Sequence, residues 1–394
     1  MDMEYKRFPK EEYEHRWERA RTLMKEHALD ALLITEANNF TYLSGGHGDF
    51  SFSRPTVMIL PQKGQAVMIV HEFFEASQRR ESWIGEIRSY SSIANTPIDL
   101  IKGAIQEIGL AGGKIGAELG REQRLGLPFN DFIELTRILP GVEFLDASDV
   151  FWGLRMVKSE AEITCMRGAG KITGSAFKRC FERVREGMTE KEAAKIMFQA
   201  AVAEGGAQVW VLCNSGPYNY ESGFLSNPGE YKLEMGNLLW LDSGCSFKGY
   251  ASDFSRMAAI GKPSDNQKKM YASVDRITQT VTAAIRPGIT ASALSRLCNT
   301  EFEKAGLKAI WGGGDCTARQ SNRANRIGHG IGMATTEPPH IALFDNTVVV
   351  PGMTITIEPT VVTDYGHFNI ESNVVVTGDG FEVLSQASRE LLAI

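Results

Sequence analysis

Four carboxylates occupy matched places in two apolar stretches of this 394-residue chain. Gly236-Asn-Leu-Leu-Trp-Leu-Asp242 reads like Gly352-Met-Thr-Ile-Thr-Ile-Glu358: a glycine, then a strand that ends in an acid. A second strand follows each, Tyr250-Ala-Ser-Asp253-Phe-Ser-Arg256 and Phe368-Asn-Ile-Glu371-Ser-Asn373, again with an acid inside it. Strands this rich in Leu, Ile, Phe and Trp bury their faces against helices. If the two hairpins meet, Asp242, Asp253, Glu358 and Glu371 converge in a low-dielectric interior, where four like charges lose hydration and repel one another. Either they take up protons or cations neutralise them. Two divalent ions supply the four missing positive charges. His329, in Ile327-Gly-His-Gly-Ile-Gly-Met333, would add one nitrogen, and an oxygen-rich set with one imidazole suits Mn, Fe, Co or Zn. Ions bridged by carboxylates lie about 3.5–4 Å apart, the spacing for one shared, activated water.

The elements around these acids repeat as well. Arg185-Glu-Gly-Met-Thr189 resembles Arg286-Pro-Gly-Ile-Thr290, each Thr is placed to cap a helix, and Thr189-x-x-Glu192 is a capping box. Two helix-plus-hairpin halves related by a pseudo-two-fold axis are expected. Ahead of them, residues 11–28 carry Trp17, Ala20, Leu23 and Met24 at helical spacing. Residues 28–45 read as strand, turn and a further strand-like segment; PTVMIL and GQAVMIV read as strands, Ile98–Gly109 as a helix and GGKIGAEL as a strand. Strand and helix alternate to about residue 147, so this part is a mixed α/β domain. A connector containing Lys158-Ser-Glu-Ala-Glu162 opens a long helix, and the domains are placed at 1–155 and 156–394.

Composition narrows the classes. The chain is 43% hydrophobic and 23% charged, which suits a folded core rather than a disordered chain. A net charge of −6 argues against nucleic acid as a partner. Six cysteines without a CxxC pair argue against a disulfide scaffold or a cysteine zinc site. The charged N-terminus has no apolar run of a signal peptide, and no stretch is long enough for a membrane span. A reducing cytoplasm is the expected setting.

Taken together, Leu241-Asp-Ser-Gly, Tyr250-Ala-Ser-Asp-Phe-Ser-Arg, Gly328-His-Gly-Ile-Gly, Pro351-Gly-Met-Thr-Ile-Thr-Ile-Glu-Pro and Ile370-Glu resemble the M24 pita-bread family of methionine aminopeptidase, aminopeptidase P, prolidase and creatinase. The linker Met156-Val-Lys-Ser-Glu-x-Glu-Ile resembles the one that follows a creatinase-type N-terminal domain. The resemblance implies an α+β chain: a creatinase-like mixed α/β domain, then a pita-bread catalytic domain. It implies Asp242, Asp253, His329, Glu358 and Glu371 as ligands of two divalent ions. Creatinase lacks most of these, so its metal-free mechanism is not favoured. Phe52-x-Arg54 resembles the Phe-x-Arg by which creatinase, from the neighbouring subunit, holds its substrate's carboxylate. That implies a homodimer with sites near the subunit interface.

The chain departs from the family's Xaa-Pro peptidases where they carry extra histidines. Thr336 stands for the His of a His-Glu-x-Pro motif while Glu337 remains, Asn325 for the His four residues before His329, and Leu225 lies near the place of an upstream His. Asn369 replaces an Arg two residues before Glu371. These groups donate protons to a peptide carbonyl or orient it. Candidates to replace them are His340, entering from a turn, His367, at an even spacing from Glu371, and Tyr218 and Tyr220 ahead of the first hairpin. The expected activity is hydrolysis of a dipeptide or of a small carboxylate-bearing or zwitterionic compound, with Glu337 as proton shuttle. The resemblance also admits a dimethylsulfoniopropionate lyase, with Tyr218 or Tyr220 as base, and a non-catalytic binding protein. No role is assigned to Trp311-Gly-Gly-Gly-Asp-Cys316.

Overall fold

Helix α1 (Lys10–Glu26) buries Tyr13, Ala20 and Met24, which recur on one side of a charged helix. It belongs to the first of two compact units, residues 1–155 and 156–394. The computed structural model describes residues 5–48, 54–216, 227–307 and 326–394. The first unit is a mixed sheet of β1 (Ala31–Ile34), β2 (Val57–Pro61), β3 (Val67–His71), β4 (Glu86–Tyr90), β5 (Lys114–Ala117) and β6 (Glu143–Asp146), in the order β4-β3-β2-β1-β5-β6. Alternate residues of these strands, such as Ala31 and Leu33 or Val57 and Ile59, share one core with Ile101, Ala104 and Ile105 of the helix Ile98–Glu107.

The segment after β1 corrects the expectation of a second strand: Ala37–Ser44 is a helix. Glu36 caps it by accepting from the Asn39 amide, and Gly45 ends it in the left-handed region at φ 81°. Below the cap, the Glu118 carboxylate accepts from the amides of Thr35 and Glu36. The cap, the terminal glycine and the long-range Glu118 bonds outweigh the strand propensity of Phe40, Thr41 and Tyr42.

In the second unit the helix Glu160–Arg183 opens on a capping box of Ser159 and Glu162, and Glu190–Ala203 on one of Thr189 and Glu192. Thr290 caps Ala291–Ala305 through the Ala293 amide. Thr189 also bridges to Lys232 and Thr290 to Val348, each partner four residues ahead of a repeat glycine, Gly236 and Gly352. One sheet is built from β7 (Ala207–Ser215), β8 (Leu238–Phe247), β9 (Tyr250–Ala251), β10 (Phe254–Ala259) and the terminal strand Leu392–Ala393. The other runs in the order β12-β11-β13-β16-β17, with β11 (Arg326–Gly330), β12 (Glu337–Ala342), β13 (Thr354–Ile357), β16 (Ser372–Val376) and β17 (Phe381–Val383). Between β13 and β16, β14 (Thr360–Thr363) and β15 (Gly366–Asn369) form a separate hairpin.

Strand β8 is buried on both faces. Leu238 and Trp240 join the core under the helices Asp265–Ala283 and Ala291–Ala305. Leu239 and Leu241 join the one under Glu160–Arg183 and Glu190–Ala203. Asp242, two residues past Trp240, continues the first of these faces, which also holds Ile355 and Ile357 of the second sheet.

Candidate metal centre

Asp242 lies inside β8, which runs on to Phe247, and so corrects the reading of it as a strand end; Glu358 does follow the last residue of β13. Asp253 sits in a two-residue break between β9 and β10, and Glu371 in the matching break between β15 and β16. A break frees a side chain from strict alternation, so both acids can turn toward the seam of the two sheets.

Each break is tied to the opposite hairpin by the residue two places beyond its acid. Ser255 accepts from the Glu371 amide at 3.0 Å. Asn373 accepts from the Asp253 amide at 2.9 Å and donates to the Asp253 carbonyl. Neither Ser255 nor Asn373 stands out in the sequence. The signal that could have found them is the shared offset of two from each acid.

The Gly-rich strand β11 brings in His329. A Cβ on Gly328 would overlap the Thr356 carbonyl oxygen, and one on Gly330 the Pro338 carbonyl oxygen, so close strand approach requires both glycines. His329 Nδ1 lies 2.9 Å from the Gly330 carbonyl oxygen, which can only accept, so Nδ1 carries the proton. The bare Nε2 then faces Glu358 Oε1 at 3.5 Å and Asp253 Oδ2 at 3.7 Å. Burial, reinforced by the Arg326 cation, lowers the His329 pKa to about 3, so the ring is neutral and makes no salt bridge there.

Ligand atoms of Asp253, His329 and Glu371 all lie within 4.8 Å of one another. Asp242 and Glu358 join them electrostatically: burial first, then the Glu358 charge, pushes Asp242 up to about 8. Burial pushes Glu358 to about 7, against the pull of Arg326, 3.7 Å away. Asp253 and Glu371 are raised well above the carboxylate range by burial and then by the other acids. Among the described residues, Asp242 Oδ1 and Glu371 Oε1 are buried without a hydrogen-bond partner. Orphaned carboxylate oxygens, a bare imidazole nitrogen and mutual repulsion are what a cation would relieve, so the residues fit divalent metal.

The pKa directions set an outcome for chelator-treated protein. These acids hold protons to higher pH in the folded chain than in the unfolded one, where they titrate near about 4. The metal-free protein is therefore expected to lose stability as pH rises from about 5 to about 8. Saturating divalent ion should flatten that fall. Thermal melts across this range, with chelator and with ion, check it; a flat chelator profile contradicts it.

The other sequence candidates are placed differently. His340 corrects the expectation of a turn: it is on β12, in register opposite His329. Its amide donates to Asp345, and its ring meets Phe344. His367 is fully buried, stacked on Trp240 at 4.4 Å and hydrogen-bonded to Asn214. Thr336 is exposed just ahead of β12, and Arg54, in the first unit, is half-buried. Phe52, Tyr218, Tyr220, Leu225, Asn325 and the loop 311–316 lie outside the described residues.

Glu337 is buried, 3.3 Å from the buried Lys158 ammonium, and accepts from the Ala334 amide. Lys158 was visible only as a linker charge; no spacing rule ties it to residue 337. Lys158→Met would remove the cation that faces the buried Glu337 carboxylate, and breaking a buried ion pair from one side costs about 3–5 kcal/mol. Urea denaturation should show that loss, with much of it recovered in Lys158→Met/Glu337→Gln; an unchanged midpoint in the single variant would contradict the pairing.

Two matched hairpins with carboxylates and one imidazole at their seam form a candidate metal centre on a pita-bread fold that follows a creatinase-type unit in the sequence. The pattern of metallopeptidase family M24 matches residues 164–378 and that of the creatinase/prolidase N-terminal domain residues 16–157, and the chain belongs to family M24. It is 29% identical to the probable dipeptidase PepE of Mycobacterium tuberculosis (strain ATCC 25618 / H37Rv), over 99% of this chain and 98% of that one. It is 30% identical to the Xaa-Pro dipeptidase of Lactobacillus delbrueckii subsp. lactis, over 68% of this chain and 71% of that one. Among solved structures it superposes on dipeptidase PepE from Mycobacterium ulcerans with a TM-score of 0.83 and 28% identity, covering 98% of this chain and 99% of the other. Among the described residues, no helix is long and apolar enough to cross a membrane.

Proposed function

We propose that this chain is a dinuclear metal-dependent hydrolase that cleaves Xaa-Pro dipeptides. The observation that carries the reading is the bare Nε2 of a neutral His329 held 3.5–3.7 Å from two of four gathered acids, an arrangement that repels itself unless the acids take up protons or cations lie between. Asp242, Asp253, His329, Glu358 and Glu371 would hold two divalent ions. When bound, such ions acidify a water and polarise a carbonyl.

The chain's own groups do the rest. Asp253 and Glu371, at the two breaks, present carboxylates from both hairpins. Glu358 has the most open side chain of the four acids, at 13% exposure beside Arg326, so it can take up a proton and pass it to solvent. Glu337 faces Lys158 and accepts from the Ala334 amide, contacts that favour a brace for the turn ahead of β12 over a shuttle.

A dipeptide is itself a small zwitterion with a carboxylate, so the missing peptidase histidines and the names of the relatives converge on short substrates. The lyase alternative draws no support from those relatives. The test is incubation of protein loaded with Mn, Co, Fe or Zn with Xaa-Pro dipeptides and with dimethylsulfoniopropionate. Release of free proline supports the reading. Release of acrylate without proline would replace it with the lyase, and no turnover with any metal would leave a binding protein.

A further inference from the structure

Asn369, where the resembling peptidases carry Arg, is buried and spends its whole side chain inside the fold. Its Oδ1 accepts from Trp240 Nε1 at 3.3 Å and from Ser255 Oγ. Its Nδ2 donates to the Glu358 carbonyl at 3.1 Å and to Thr360 Oγ1 at 2.8 Å. These partners are not scattered. Trp240 stands two residues before Asp242, Ser255 two after Asp253, Glu358 is itself one of the acids, and Asn369 stands two before Glu371. One amide thus touches all four acid-bearing segments, and Ser255 passes the tie on to the Glu371 amide at 3.0 Å.

We propose that Asn369 is a positioning residue for the metal centre: it clamps the two hairpins so that four mutually repelling carboxylates stay at ion-binding separation. This rests on the metal reading above. The clamp needs two acceptor and two donor sites in one short, planar group, which an amide supplies. An arginine has donors only, so it cannot accept from Trp240 and Ser255. Asn369→Arg, although it restores the residue of the resembling peptidases, is therefore expected to loosen the site as Asn369→Leu does.

Calorimetric titration of the chelator-treated full chain with Mn2+ tests this without using activity. Wild type is expected to take up two ions. Asn369→Leu and Asn369→Arg should weaken uptake by about 10–100-fold, the usual effect of removing a group that orients metal ligands. Gln267→Ala is the control. It removes bonds to the carbonyls of Gly236 and Tyr365, remote from the acids, and should lower the melting temperature with no change in Mn2+ affinity. Wild-type affinity in both Asn369 variants overturns the proposal, and so does equal weakening in Gln267→Ala. If the Asn369 variants do not fold, Trp240→Phe combined with Ser255→Ala carries the same test, and unchanged affinity in that pair overturns it. Absence of uptake by wild type overturns the metal reading and this proposal together, so the two failures are told apart.

Discussion

Glu371→Gln is expected to do two opposite things at once. At pH 8 the chelator-treated variant should melt higher than chelator-treated wild type, because one buried acid that is repelled by Asp253, Asp242 and Glu358 is gone. The gain should be roughly 2–4 °C for each kcal/mol of repulsion and desolvation relieved. With divalent ion the order should reverse. Wild type gains stability from the ligand it binds only when folded, and the variant, one anionic ligand short, gains little. Hydrolysis of an Xaa-Pro dipeptide should fall by about 10³-fold, the scale for losing a group that organises charge in a transition state. Asp253→Asn should behave alike, since Asp253 occupies the matching break. Differential scanning calorimetry at pH 8, with and without Mn2+, reads the inversion. A variant less stable than wild type in chelator would mean that Glu371 stabilises the fold in its own right, and the electrostatic account of the site would be wrong.

Thr336→His is expected to raise turnover of Xaa-Pro dipeptides by about tenfold or more. Thr336 is exposed one residue ahead of β12, and the strand it enters pairs Glu337 with Gly330, next to His329. A hydroxyl at this place donates a neutral hydrogen bond and does not titrate near pH 7. An imidazole does both, and positioned acid–base groups contribute about 10²–10⁴-fold. The gain should fall in kcat rather than KM and add a pH limb near about 6.5. Thr336→Gln, which can hydrogen-bond without titrating, should give none of it. Equal effects of His and Gln would show that position 336 shapes binding only.

Much of the site was legible because its chemistry is written in repeats. The paired glycine-to-acid offsets, and the lone His in a Gly-rich strand, point to Asp253, His329 and Glu371, whose ligand atoms lie within 4.8 Å of one another, and to Glu358, 3.5 Å from His329. What stayed hidden acts through neutral groups or across long sequence gaps. Ser255, Asn373 and Trp240 are ordinary strand residues until two hairpins are seen face to face. Lys158 meets Glu337 only because the linker packs beside the turn ahead of β12. The helix Ala37–Ser44 is obscured in the sequence because Phe, Thr and Tyr favour strands, while its capping acid and terminal glycine are weak one-residue signals. His367, at an even offset from Glu371, is buried, stacked on Trp240 and hydrogen-bonded to Asn214, contacts that a spacing argument does not reveal.

The central claim is that the gathered acids clamp two cations. Anomalous diffraction from crystals grown with Mn2+ tests it most directly. Two peaks enclosed by Asp242, Asp253, His329, Glu358 and Glu371 are the predicted result. Empty density there at saturating Mn2+, with the carboxyls hydrogen-bonded to one another, would contradict it.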